Sequence, residues 1–333
     1  MRSFFPDNGK FYKVNMHCHT VISDGKMTPE EIKTAYLAEG YSAVCFTDHE
    51  VFLPHHELTD EHFVALAGYE TAIKEFPDLH TGLFRRAYHI NLVARRADIT
   101  RQPFADPAVL TPGNCAAHFN SDNCDELLTY AFSPEGVSDL VRRANEADFF
   151  AFYNHPVWSM MPAADYTRIE GLWGIEVMNT GSFALGDCGA GPLRSLLRAG
   201  KRAFPVGGDD NHNDDGLRGS FGAFTMLSAT SLTYDGLIEA IANGWGYASN
   251  GPLIFDISYD AEKIYVKTSP AARIILLSEG RYSKCAEGEG IEEAVFKRDA
   301  AKTGDFVRFE VVDAQGRLAI SRAYFEEEFE CEG

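Results

Sequence analysis

From the N-terminus to about residue 250 short apolar runs alternate with amphipathic stretches, and this alternation constrains the chain more than any other feature. Short apolar runs bounded by polar turns read as buried strands, and the stretches between them as helices laid on a sheet. The runs fall at 14–17, 43–47, 64–69, 89–94, 149–153, 175–178, 203–207 and 221–228. Thr28-Pro29-Glu30-Glu31 joins an N-cap hydroxyl, a proline at the first helical position and a capping-box glutamate. That helix is expected to end near Gly40. Ser133-Pro134-Glu135 repeats most of the signal and predicts a helix ending near Asp148. Roughly eight strands with intervening helices over about 250 residues fit a (β/α) barrel better than an open sheet. The stretch 96–131 is long and irregular for a connection, and reads as a lid or a small insertion.

After Asn250-Gly251-Pro252 the pattern changes. Strand-like runs at 254–259, 264–268, 273–277, 307–312 and 321–325 are joined by turns, with no convincing helix. The fold expected is therefore α/β: a barrel over 1–252 and a small all-β, sandwich-like domain over 253–333. The acidic end, Glu326-Glu327-Glu328, is expected to fray.

The chain's 333 residues, 45% hydrophobic, suffice for a large core and a smaller one. Forty-nine acidic against thirty basic residues give a formal net charge of −19, which disfavours duplex nucleic acid and anionic membranes as partners. A small anionic substrate stays open, because bound divalent cations reverse the local field. There is no apolar run of about 18 residues, and Met1-Arg2-Ser3-Phe4-Phe5-Pro6-Asp7 lacks the apolar stretch of a signal peptide, so a cytoplasmic protein is expected. Seven scattered cysteines without a C-x-x-C pair indicate reduced thiols.

Most of the eleven histidines stand at strand ends beside acids. In His17-Cys18-His19 the two imidazoles face the same way, since side chains alternate along a strand. Asp24 follows in a Ser23-Asp24-Gly25 turn. Thr47-Asp48-His49 closes the second strand, Glu70 the third, and His89 opens the fourth; Asn154-His155-Pro156 follows the fifth, and Asp209-Asp210-Asn211-His212 the seventh. In a parallel barrel the C-terminal strand ends meet on one face, so such residues converge. Imidazole with carboxylate suits zinc, iron or manganese, and nine candidates exceed the needs of one ion. Two or three divalent ions sharing bridging carboxylates are expected.

In their order, these motifs resemble those of the polymerase and histidinol phosphatase (PHP) family of metal-dependent phosphoesterases, over about residues 11–250. The resemblance implies a distorted seven-stranded barrel and a trinuclear site. It implies His17, His19, Glu70 and Asp210 at one ion, Glu70, His89 and His155 at a second, and Asp24, His49 and His212 at a third. Members that cleave nucleoside bisphosphates or short RNA often carry a substantial inserted domain, where this chain has only 96–131. The appended β region resembles that of a less characterised branch.

His80 is an alternative to His89. His118 could contact a lid, a substrate or solvent, and His55, His56 and His62 read as solvent-facing. Asp48 and Asp209 either orient a ligand imidazole or bond to nearby backbone. No Gly-x-Ser-x-Gly elbow, Walker loop or dinucleotide fingerprint is present. The function expected is hydrolysis of a small phosphate mono- or diester by a metal-bridged hydroxide, Asp210 and His212 lying closest to the chemistry. His212 or a neighbouring acid would assist the leaving group. Arg218, in Gly216-Leu217-Arg218-Gly219, is the candidate phosphate anchor; its alternative is a surface arginine paired with Asp214 or Asp215. Hydrolysis of a carboxyl ester, carbamate or amide needs the same ligands, and a metal-stabilised binding module is the non-enzymatic alternative.

Overall fold

The computed structural model describes residues 1–75, 85–110 and 114–329. Its strands are β1 (Arg2–Ser3), β2 (Lys10–Asn15), β3 (Ala43–Phe46), β4 (Val64–Lys74), β5 (Ala87–Ala94), β6 (Phe149–Tyr153), β7 (Gly174–Asn179), β8 (Phe204–Gly208) and β9 (Phe224–Ala229). They continue with β10 (Gly246–Ser249), β11 (Ile254–Tyr259), β12 (Lys263–Ser278), β13 (Ser283–Lys297), β14 (Phe306–Val312), β15 (Leu318–Ser321) and β16 (Tyr324–Phe325). All belong to one mixed sheet of order β1-β11-β12-β14-β15-β10-β9-β2-β3-β4-β5-β6-β7-β8, with β13 beside β12 and β16 beside β14.

The helices begin where the capping signals place them. Thr28 Oγ1 accepts from Glu31 N, and the Glu31 carboxylate accepts from Thr28 N, at the head of Pro29–Ala38. Ser133 caps Pro134–Glu146 through Gly136 N. Among the described residues no helix is long and apolar enough to cross a membrane.

Two expectations are corrected. The sheet is not a closed barrel, and its strands are not all parallel. Parallel pairing holds for β2–β3–β4 and β6–β7–β8, but β5 runs antiparallel to both β4 and β6. Closure fails because β9 already occupies the edge of β2, antiparallel over Lys10–Val14. The end of the sheet at β8 meets the end of β2 through a Cys18–Asn211 bridge, backbone bonds from Asp210 N to the His17 carbonyl and from His19 N to the Asn211 carbonyl, and the Asn15 side chain, which accepts from Asp209 N. Toward β9 the Thr225 hydroxyl bonds both Gly207 N and Gly207 O, a side chain standing in for a ladder.

Beyond Gly251 the five expected strands become six, with a helical turn at Ala300–Thr303. The runs 264–268 and 273–277 are one long strand, β12, with register shifts between Lys267 and Arg273. These strands join the rest of the sheet through β10–β15 and β1–β11. They share a core with the first half, in which Ile32, Phe46 and Phe63 pack in one cluster with Ile257, Ile274 and Phe309. A second core, including Tyr69, Phe104 and Phe152, lies mostly in the first half and takes in Phe306, Ile320 and Ala323 from beyond Gly251. The acidic end is ordered: Glu326–Phe329 forms a 3-10 turn, Phe329 is buried, and Glu328 pairs with Arg322. The segment 96–131 is docked through Gln102, which bonds Glu50 O and Phe52 N.

Candidate metal centre

All nine residues proposed as ligands converge. Four overlapping sets have donor atoms within 4.8 Å of one another: His19, Asp24, His49 and His212; His17, His19 and Glu70; His17, His155 and Asp210; His49, Glu70 and His89. The first matches the third ion implied by resemblance, with His19 added. The others divide the remaining residues differently, placing Asp210 with His155 and His49 with His89. His80 lies outside the described residues. His118 is exposed, at the end of the helix Asn114–His118, and belongs to none of the sets.

The antiparallel β5 explains why His89 stands near the start of its strand whereas the other histidines and acids follow theirs, save Glu70, which lies within β4 because that strand runs on to Lys74. Ala72 faces His89 across the ladder and Glu70 faces Asn91, so the start of β5 lies beside the end of β4. His89 Nδ1 is then 3.0 Å from Glu70 Oε1. His155 and Asp210 have left-handed backbones, φ 23° and 53°, which only a well-determined turn holds in non-glycine residues. Gly208 must be glycine here: a Cβ would lie 2.8 Å from that of His17.

The donor set fits divalent cations. Glu70 Oε2 lies 3.0 Å from His49 Nδ1 and 3.5 Å from His19 Nε2, yet it is buried without a hydrogen bond, as is His89 Nε2. His17 Nε2 and His19 Nε2 are 3.1 Å apart, with Asp210 Oδ1 3.3 Å and 3.0 Å from them. Lone pairs that face one another without enough protons between them are costly when buried, and a cation relieves that cost.

Electrostatics agree. Burial alone would raise the Glu70 carboxyl, but His89, His17 and His49 hold it well below the usual carboxylate range. Burial likewise opposes ionisation of Asp210, which His17 and His19 nonetheless keep well below that range. His17 is raised well above its ordinary value by Asp210, Glu176 and Glu70, against burial. Burial pushes His89 down to about 4 despite Glu70. His212, opposed by burial, is raised to about 9 by Asp24 and Asp210. The open side of the cluster is at Asp24 and His212, whose side chains are 48% and 31% exposed.

Asp48 and Asp209 act on nearby backbone and hydroxyls. Asp48 accepts from Thr20 N, Ser23 N and both hydroxyls, shaping the turn between His19 and Asp24. Asp209 accepts from Phe221 N, Gly222 N, Ala223 N and the Tyr36 hydroxyl. His55 is buried against Phe46 and His56 packs on Tyr234, correcting their expected exposure; His62 is exposed.

Arg218 is not brought to the cluster. Its side chain is 83% exposed and its guanidinium lies 3.5 Å from Asp215. Lys26 comes nearer, donating to the Asp24 carbonyl and 3.5 Å from Asp214. The sequence reading also missed Glu176, whose carboxylate lies 2.9 Å from His17 Nδ1 and accepts from His155 N and the Asn179 amide. Its signal was an acid inside the apolar run of β7, where Glu70 was read as an acid at the end of one.

No family model matches the chain, and no curated protein matches it. Solved structures do match. Over 96% of each chain, it is similar to a Bacteroides vulgatus two-domain protein described as containing a predicted PHP-like metal-dependent phosphoesterase, at 15% identity and TM-score 0.46. A Bifidobacterium adolescentis protein described as a metal-dependent phosphoesterase matches 60% of this chain and 87% of its own, at 16% identity and TM-score 0.36. An amidohydrolase from Chromobacterium violaceum, with bound sulfate and no metal, matches the same shares at 18% identity and TM-score 0.37.

Proposed function

We propose that the chain is a metal-dependent hydrolase of a small phosphate mono- or diester. The observation that carries this reading is the convergence of His17, His19, Asp24, His49, Glu70, His89, His155, Asp210 and His212 into overlapping donor sets with buried, unpartnered lone pairs. Two or three divalent ions would be held there. Such ions acidify water toward neutrality and offset charge on the attacking and departing oxygens of an in-line displacement.

The chain's own residues orient the ligands. Glu70 would be shared between ions, with Asn154 Nδ2 donating to its Oε1 at 2.8 Å. Glu176 fixes the ring of His17 and the backbone of His155. His212, whose Nδ1 lies 3.0 Å from the Asp210 carbonyl and whose Nε2 faces Asp24 at 3.4 Å, would serve as a ligand on the open side, so the proton for the leaving oxygen would come from solvent reaching that side. All nine residues precede residue 252, so we place the hydrolase unit in 1–252 and treat 253–333 as an appended β unit.

A second reading, hydrolysis of a carboxyl ester, carbamate or amide, is favoured by the place of Arg218. Phosphoryl transfer gains most from a bidentate cation, and this arginine faces solvent. One experiment separates the readings: elemental analysis and turnover of phosphate and carboxyl esters, before and after chelation. Two to three equivalents of transition metal and chelator-sensitive phosphate release are expected. Protein that stays metal-free after incubation with manganese, zinc and iron(II) overturns both readings, and carboxyl-ester turnover alone overturns the first.

A further inference from the structure

Charged groups, Asp24, Lys26 and Asp214, stand on one part of the cluster's rim, and large apolar side chains on another. Val157, Trp158 and Met160 lie within five residues after His155, and all three are large apolar side chains at least partly open to solvent. Leu185, 54% exposed, stands on the turn after β7. Val21, Leu53 and Leu217 extend the same character along the segments after β2, β3 and β8. Exposed apolar residues scattered singly need no explanation, but these gather on the loops that carry the ligands.

One wall of this rim is held in place. The Asp187 carboxylate is buried and accepts from Val157 N at 3.0 Å and Trp158 N at 2.8 Å, clasping the loop after β6 to the loop after β7. The Asp187 carbonyl accepts in turn from Asn179 N. The Trp158 ring lies 4.9 Å from that of His155 and 5.3 Å from that of His89, so the indole adjoins the proposed ligands. Burying a carboxylate is costly unless its hydrogen bonds compensate, and these bonds order a segment whose side chains face solvent. An ordered, partly exposed indole beside a reaction centre is a surface for an apolar or aromatic group.

We propose that the phosphate hydrolysed here is carried on an apolar alcohol, aryl-methyl or alkyl, that lies against Trp158, Val157 and Leu185. The inference rests on the phosphoesterase reading above and narrows its substrate class. In the reaction, water oxygen bonds to phosphorus, the bond from phosphorus to the ester oxygen breaks, and the released apolar alcohol takes the proton.

The test uses the full chain loaded with manganese, and benzyl and hexyl phosphate against glycerol phosphate, all esters of weakly acidic alcohols. kcat/KM is expected to be at least about 10-fold higher for the apolar esters, the discrimination an apolar surface supplies. Val157→Asn and Leu185→Asn should each lower the benzyl-to-glycerol ratio several-fold at unchanged metal content. Benzylphosphonate should shift tryptophan fluorescence where methylphosphonate does not, and Trp158→Phe should abolish that shift. Equal or faster turnover of glycerol phosphate, or a ratio that neither asparagine variant moves, overturns the inference and leaves the phosphoesterase reading intact. Absence of turnover on every phosphate ester in metal-loaded protein overturns that reading, and the inference with it.

Discussion

Around the histidines, buried polar atoms lack hydrogen-bond partners; in the strands after Gly251, buried polar groups are nearly all satisfied. Near the cluster the unpartnered atoms include Glu70 Oε2, His89 Nε2, Asn91 Oδ1 and Asn154 Oδ1. Beyond Gly251 they are two hydroxyls among the described residues, Ser258 Oγ and Tyr324 OH. There even the buried Arg308 is paired, with Glu310 at 2.7 Å. A region selected for stability alone meets its polar needs internally. A region that leaves acids and imidazoles facing one another is completed by something from outside, and the donor chemistry makes that a cation.

The sharpest way to break this contrast is Glu70→Gln, which keeps the volume and removes the charge facing five imidazoles. Metal content should fall by at least one equivalent and turnover by on the order of 10²–10³-fold, with the circular dichroism spectrum retained. Full occupancy at unchanged rate would show that Glu70 is not shared between ions. Glu176→Gln should act more mildly, since it touches ligands rather than ions: a loss of about 10–100-fold in metal affinity, read by competition with a chromogenic chelator. Affinity equal to that of the unaltered protein would reduce Glu176 to a packing residue.

Ending the chain at Gly251 tests the other side of the comparison. Metal should be retained, because every proposed ligand remains, while solubility falls. The edge of β10 loses β15, and Phe4, Phe5 and Tyr247 lose their cover. Sedimentation with metal analysis reads both, and a soluble, folded, metal-free product would place part of the site in the missing strands. The smallest effect belongs to Arg218→Ala. Its exposed pairing with Asp215 predicts kcat/KM within about 2-fold of the parent. A fall of about 10²-fold would bring Arg218 back as the phosphate anchor.

Much of this site was legible in sequence because its residues stand where local rules apply, at the ends of apolar runs and in short turns. Thr28 and Ser133 cap their helices as read, and Glu70 stood out as an acid at the end of an apolar strand. What was not legible depends on partners distant in sequence. The direction of β5 is set by its pairing with β4 and β6, and an eight-residue strand reads the same either way. Long β13 is mostly exposed and rich in glutamate, so no apolar pattern announced it. Arg218 was placed near the cluster by sequence proximity to His212, but a glycine-rich loop carries a side chain away within a few residues. Asp187 had no signal at all, since its role is to hold two backbone amides thirty residues away.

The pairing of β1 with β11 bears on how the chain is made. Arg2 finds its partner at Tyr259, and Phe4 stacks on Tyr259 at 4.8 Å and meets Phe329 at 5.0 Å. At roughly 5–20 residues per second, the first strand leaves the ribosome about 13–50 s before its partner is synthesised. Through that interval Phe4 lacks Tyr259 and Phe329, and Phe5 has Phe11 beside it; the last proposed ligand, His212, is made roughly 2–9 s before Tyr259. The strand β1, though made long before β11, is therefore among the last parts of the sheet to be fastened.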